Sequence, residues 1–311
     1  MAWAGIGISG VGAALLGLVP GFAGLGVAML LNGIGAALFH PVSAALVAQA
    51  APPSQRGFWM SAYISAGNFG LGIGPLLVGL VLVRSGLGGT WLLAIPALLV
   101  GALIWRVAPV RPGRGGASPA SLMSLLRQHW RLLGALIGVV ALRSWASSTI
   151  TTFLPLLATE RGADTAAGAQ VLTVFLIAGA VGGFVGGTLS DRLGRDRVVI
   201  GSLLLSVPFG LALGLLGQFG MLFWLAAGLC GFFLNGSWIS LTVRAQESVP
   251  SSVAMMSGLM LGLSIGLGGL AVTPIGVVAE VVGLGVVVSA VACLPLLAAM
   301  LMRFVPKPSS S

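Results

Sequence analysis

Ten long apolar runs dominate this 311-residue chain and limit what it can fold into. Each run is close to the roughly 20 residues that a helix needs to cross a bilayer. The runs do not alternate apolar and polar residues with a period of two, so a membrane β-barrel is not expected. We therefore expect an all-α polytopic membrane protein. The predicted spans are 4–19, 24–49, 57–83, 90–106, 132–157, 166–190, 198–216, 221–243, 253–279 and 284–302.

Composition excludes several classes of function. Hydrophobic residues make up 57% of the chain and charged residues only 7%, whereas a soluble domain carries about 25% charged residues. The net charge of +9 is spread singly between apolar runs, so nucleic-acid binding is not expected. Cys230 and Cys293 both lie in apolar runs and predict packing roles, not a disulfide or metal site. The pattern contains no nucleotide loop or catalytic set, so we expect neither an enzyme nor a cofactor.

The arginines predict the orientation in the membrane. With a cytoplasmic N-terminus, twelve basic residues fall inside and only Arg84 and Arg161 fall outside. Both termini are then cytoplasmic. The stretch 108–128 is rich in proline, glycine and arginine, which predicts a cytoplasmic basic linker. It divides the chain into a partial N-terminal half, 1–107, with four spans, and a six-helix C-terminal half, 129–311.

The segment from Gly187 to Arg197 reads G-T-L-S-D-R-L-G-R-D-R, and five of its eleven residues are charged. Such a cluster cannot lie in hydrocarbon, so a short loop between two membrane helices is predicted. The pattern resembles the signature loop of the major facilitator superfamily of secondary transporters. We expect Glu247, at a cytoplasmic helix end, to join its ion pairs. The residues predicted to gate the conformational change are Gly187, Asp191, Arg192, Gly194, Arg195, Arg197 and Glu247.

The two halves show a weak internal repeat. Met60-Ser61 matches Met256-Ser257, and Gln49 matches Gln246, at an offset of 196 to 197. The same offset places the counterpart of the charged loop before residue 1. The resemblance implies twelve helices, so ten are expected here, with the first two missing. A misassigned start is favoured over a true truncation, because the two absent helices would help to line the cavity.

Further motifs resemble the fosmidomycin resistance protein family. They are F-H-P at 39–41, G-N-F-G-x-x-x-G-P-L-L at 67–77 and A-Q-E-x-x-P at 245–250. The resemblance implies a proton-coupled drug efflux carrier of the bacterial inner membrane. Its partners would be a small-molecule substrate, protons and the lipid bilayer, and we expect a monomer. Two alternatives stay open: an importer of organic anions, and an inert or scaffolding product of a truncated gene.

Arg143 is the main candidate for substrate binding. It lies about halfway along 132–157, where a cation costs several kcal/mol unless it is paired or hydrated. We interpret it as the counter-ion of an acidic substrate; the alternative is a structural arginine bonded to helix carbonyls. Asn68, Asn235 and Ser147 are the other predicted substrate-binding residues. An interhelical hydrogen bond is the alternative for Asn235, and ordinary small-residue packing is the alternative for Asn68.

Two further features predict coupling and packing. His40 precedes Pro41 within an apolar run and could carry protons, or it could bond to a carbonyl that the proline leaves free. Gly70, Gly74 and Pro75 resemble the antiporter motif of the superfamily and predict close helix packing; ordinary small-residue packing is the alternative.

Overall fold

The computed structural model describes residues 2–107, 127 and 129–306. Nearly all of the predicted linker 108–128 therefore lies outside the described residues, as do a few side chains within helices, including those of Asn68 and Pro75. The described chain is helical, and no strand occurs in it. Its α-helices are α1 Ala2–Leu15, α2 Gly21–Ala50, α3 Arg56–Ser85, α4 Ala94–Val107, α5 Trp130–Glu160, α6 Thr165–Leu193, α7 Arg195–Leu215, α8 Met221–Ser248, α9 Val253–Val282, α10 Leu284–Ala292 and α11 Leu294–Met302.

The helices confirm the predicted class of an all-α polytopic membrane protein. In the described part of the chain, eight helical segments are long and apolar enough to cross a bilayer. One of them joins a 3₁₀ turn, Leu87–Leu93, to α4, and another combines α10 with α11. The two remaining predicted spans correspond to α1, of 14 residues, and α3, of 30 residues.

The last predicted span, 284–302, is interrupted. Helix α10 ends at Ala292 and α11 begins at Leu294, with Cys293 between them. Pro295 lies in the first turn of α11. Because proline has no backbone N–H, it cannot continue the hydrogen-bond ladder of α10. The ring of Pro295 thus accounts for the break.

The predicted loop in 187–197 is much shorter than expected. Helix α6 continues to Leu193 and α7 begins at Arg195, so Gly194 alone joins them. Its φ of 91° lies in the left-handed region that glycine adopts without a steric penalty. The charged residues therefore extend the ends of two helices, where backbone groups and side chains can pair with them.

The described residues divide into two compact units, one drawn from Met1–Leu46 and Gly70–Ser118 and the other from Val47–Phe69 and Pro119–Ser311. In the first unit, α1 packs against α2 and α4. The predicted halves, 1–107 and 129–311, stay a prediction.

In the second unit, α8 is the central helix, packed by α6 on one side and by α7 on another. Helices α6 and α8 approach so closely that a Cβ on Gly182 would overlap the carbonyl of Phe232, and one on Gly186 would overlap that of Gly236. Absence of side chains at these positions lets the two backbones pack directly, as is common between membrane helices. This contact positions α8 beside α5, α7 and α9, where the polar residues described next lie.

Candidate functional site

Arg143 lies near the middle of α5, and only 2% of its surface is exposed. All of its described polar contacts are with α8. Nε donates a hydrogen bond to the Leu234 carbonyl at 3.3 Å, and Nη2 donates to Oδ1 of Asn235 at 3.0 Å. Its Cζ lies 5.0 Å from the centre of the Trp238 ring, a cation–π distance. The structure therefore brings together two of the predicted substrate-binding residues, Arg143 and Asn235.

Local contacts fix the orientation of the Asn235 amide. Its Nδ2 donates to the Gly231 carbonyl one turn earlier on α8, at 3.0 Å, which leaves Oδ1 to accept from Arg143. Gly179 on α6 leaves room for this arrangement, because a Cβ there would lie 2.6 Å from Nδ2. A bond within α8 and the space beside Gly179 of α6 thus orient the Asn235 side chain toward the guanidinium.

The charge of Arg143 is not balanced within the described chain. The ion pairs of the described residues involve Arg195 and Arg244 only. Among those residues, Nη1 of Arg143 has no acceptor, and the nearby Nε1 of Trp238 is buried without a partner. A buried cation without a counter-ion is costly, so an anionic group at this position would lower the cost.

A row of hydroxyl side chains, Ser144, Ser147 and Ser148, follows Arg143 along α5. Ser144 Oγ lies 2.7 Å from Ser264 Oγ of α9, and Ser148 packs against Gly268. Ser147, predicted to bind substrate, is half-buried one turn after Arg143, and its backbone carbonyl accepts a hydrogen bond from Thr151. These hydroxyl groups are small polar groups near the buried cation. The substrate-binding role of Ser147 stays a prediction.

His40 lies within the continuous helix α2 and is half-buried. Its ring meets that of Phe39 edge-on, with 5.6 Å between the ring centres. One turn along, Ser43 Oγ donates to the carbonyls of Phe39 and His40. Pro41 does not break the helix, and the proton-carrying role of His40 stays a prediction.

The other predicted residues of α3 are described only in part. Asn68 and Pro75 fall on this helix, but their side chains lie outside the described residues. No described atom comes within 4 Å of a Cβ built on Gly70 or Gly74. The described packing thus does not use the small size of these two glycines, and their helix-packing role stays a prediction.

A second polar cluster gathers several of the predicted gating residues at the ends of α3, α6, α7 and α8. Arg195 Nη1 contacts Asp191 Oδ1 at 2.5 Å, and its Nη2 contacts Glu247 Oε1 at 3.0 Å. Arg195 also donates to Ser190 Oγ at 2.7 Å. The second oxygen of Asp191 accepts from the backbone N–H of Phe58, in the first turn of α3, at 2.9 Å. A carboxylate there both caps the helix and complements its dipole.

A neighbouring ion pair was not predicted from the sequence. Arg244, 2% exposed, donates from Nε to Asp196 Oδ1 at 2.7 Å and from Nη2 to the Pro306 carbonyl at 2.6 Å. It also contacts Ser248. Two adjacent residues of α7 thus pair with α8: Arg195 with Glu247, and Asp196 with Arg244. Arg244 and Glu247 are three residues apart and therefore lie on one face of α8, and their charges are opposite to those of Asp196 and Arg195. This pattern is the sequence signal that could have predicted the second ion pair.

The remaining predicted gating residues do not join these contacts. Arg192 and Arg197 are exposed and form no ion pair with any described residue. Gly187 is buried in α6, where its carbonyl accepts from Ser190 Oγ, and Gly194 forms the turn. The ion-pair cluster therefore consists of Asp191, Arg195 and Glu247, and its role in gating stays a prediction.

Asp191→Asn is expected to weaken the contact between α3 and α6. The amide can still accept from the Phe58 N–H, but it loses a charge-assisted bond to Arg195, worth about 1.5–3 kcal/mol. Because the group is slightly exposed, we expect the low end, an equilibrium shift of about tenfold. The measurement is the alkylation rate of a cysteine at the buried Met60, in a protein lacking Cys230 and Cys293. Asp164→Asn, which alters an exposed cap of α6, is the control; equal rates in all proteins would refute the prediction.

The fold defines a multi-pass helical membrane protein. The family model described as Major Facilitator Superfamily matches residues 1–273 and, in an overlapping second match, 136–311. The chain therefore belongs to the Major Facilitator Superfamily, a family of transporters and not of enzymes.

Curated relatives extend the resemblance seen in the sequence motifs. The chain is 32% identical to the fosmidomycin resistance protein of Escherichia coli over 304 residues, covering 95% of this chain and 73% of that protein. It is also 32% identical to an uncharacterized MFS-type transporter, YfnC, of Bacillus subtilis, over 93% of this chain and 73% of that protein. The predicted likeness to the fosmidomycin resistance protein family is thus confirmed.

Solved structures support the fold. A crystal structure of the Major Facilitator Superfamily transporter FucP in its outward conformation matches with a TM-score of 0.79, over 98% of this chain and 82% of that one. A second crystal structure of FucP, described as the E. coli fucose:proton symporter, gives the same TM-score over 83% of its chain. Sequence identity is 16% and 17%, so these matches show the fold alone.

Proposed function

We propose that the protein exports a small organic anion from the bacterial cytoplasm in exchange for protons. The observation that carries this proposal is the buried guanidinium of Arg143, which has no counter-ion among the described residues. It is held by Leu234 and Asn235 but has no carboxylate partner in the described chain. A bound anion would supply the missing charge. The name of the E. coli relative, a fosmidomycin resistance protein, is consistent with a drug as the substrate.

Alternating access would couple the export of the anion to the entry of protons. In this scheme the substrate neutralises Arg143, and the cluster of Asp191, Arg195 and Glu247 forms in one conformation and breaks in the other. His40 would carry the coupled proton, since histidine titrates near neutral pH. We place the protein in the inner membrane as a monomer, with both termini cytoplasmic.

Transport in membrane vesicles tests the direction and the coupling together. Inside-out vesicles acidified by respiration should accumulate a radiolabelled organic anion, such as a phosphonate, when they contain this protein. A protonophore should abolish the accumulation, and a His40→Asn variant should lose the dependence on the proton gradient. Vesicles that lack the protein are the control.

Two results would overturn the proposal. Accumulation only in right-side-out vesicles with an inward proton gradient would identify an importer of organic anions. The absence of transport in either orientation, by protein shown to be inserted and folded, would identify an inert or scaffolding protein.

A further inference from the structure

We propose that the indole N–H of Trp238 is a second donor to the bound anion. Together with Arg143 it would select substrates whose anionic group carries two or more oxygens, such as a carboxylate, sulfonate or phosphonate. The inference rests on the proposed function, because it assigns the chemical class that the Arg143 site binds. It concerns a side chain whose N–H has no hydrogen-bond partner among the described residues.

The first observation is the unpaired state of the indole nitrogen. Nε1 of Trp238 is buried and has no hydrogen-bond partner among the described residues. Buried polar groups almost always have a partner, so an unpaired one calls for a specific reason. Tryptophan can donate from this nitrogen but cannot accept, so the missing partner must be an acceptor.

The second observation is the position of this nitrogen beside the unbalanced cation. Cζ of Arg143 lies 5.0 Å from the centre of the Trp238 ring, whose rim carries Nε1. Nη1 of Arg143 has no acceptor in the described chain, while Nε and Nη2 are occupied by Leu234 and Asn235. Two free donors, one charged and one neutral, therefore lie on neighbouring groups.

An oxyanion fits this pair better than other ligands do. Its separate oxygens can accept from Nη1 and from Nε1 at the same time, whereas a single-atom anion presents no such pair. A neutral analogue would leave the charge of Arg143 unbalanced. Sites built to hydrogen-bond a ligand strongly reject analogues that lack the matching groups.

The test uses Trp238→Phe in the full-length protein purified in detergent. Phenylalanine keeps an aromatic face for Arg143 but removes the N–H. The probes are benzoate, benzenesulfonate and phenylphosphonate, with neutral benzamide for comparison, and binding is measured by calorimetry. We expect the wild type to bind the three anions and not benzamide, and the variant to bind them about tenfold more weakly, as expected for loss of a hydrogen bond to a charged group.

Trp224→Phe is the matched control, since Trp224 lies on the same helix and packs against Phe219. It should bind the anions like the wild type. A measurement on the wild type avoids any folding defect of the variant: one of the indole N–H resonances from the eight tryptophans should move downfield when phenylphosphonate is added.

The outcomes separate this inference from the proposed function. Unchanged anion binding by folded Trp238→Phe, or no shifted indole resonance on binding, would overturn the role of Trp238 and leave the anion site at Arg143 intact. Failure of the wild type to bind any of the three anions would contradict the proposed function itself.

Discussion

Arg143→Met is expected to abolish transport of the organic anion while leaving the protein at least as stable as the wild type. Methionine fills a similar volume but cannot balance the substrate's charge. It also removes a buried cation that has no counter-ion among the described residues, which offsets the loss of the hydrogen bonds to Leu234 and Asn235. Asn235 would keep its bond to Gly231. The measurements are the initial transport rate in vesicles and the unfolding temperature in detergent.

Arg143→Lys separates charge from geometry. An ammonium group retains the charge but cannot reproduce the planar guanidinium that reaches both Leu234 and Asn235. We expect the transport rate to fall at least tenfold, with some transport remaining. Arg303→Met, which removes an exposed arginine at the end of α11, is the control and should transport normally. Normal transport by Arg143→Met, or its severe loss of stability, would instead identify a structural arginine.

Gly182→Val is expected to prevent assembly of the second unit. The Cβ would overlap the backbone carbonyl of Phe232, and a backbone atom cannot rotate away as a side chain can. Overpacking of this kind costs typically about 1–3 kcal/mol, and more where helices must separate along their length. We expect little monodisperse protein after detergent extraction and a clearly lowered unfolding temperature in whatever is recovered.

Gly201→Val on α7 provides the matched comparison. No atom lies within 4 Å of a Cβ built at Gly201, so the same substitution in a neighbouring helix should have little effect. Equal yields from both variants would mean that α6 and α8 can pack without the direct backbone contact.

The sequence predicted the helical class and the approximate spans because hydrocarbon imposes one rule on every segment: apolar side chains outside and backbone bonds within. Finer boundaries depend on local chemistry that hydropathy does not report. Pro295 divides the final span, and the charged residues after Gly187 prolong α6 instead of forming a loop.

In the candidate site, the sequence likewise predicted the residues but not their contacts. Arg143 and Asn235 each stood out as polar residues within apolar runs, but their contact depends on the register between α5 and α8, which no local pattern specifies. Asp196 and Arg244 were missed as a pair because the sequence offered several partners for each charge. Only tertiary packing selected among them.

The carboxylate of Asp191 holds the N–H of Phe58 with one oxygen and Arg195 with the other. Asp191 and Arg195 lie at the adjoining ends of α6 and α7, so a movement of α3 away from α6 would break the bond to Phe58 and leave the ion pair in place. The ion pair would keep the carboxylate oriented, so the bond to the Phe58 N–H could re-form without a new side-chain arrangement.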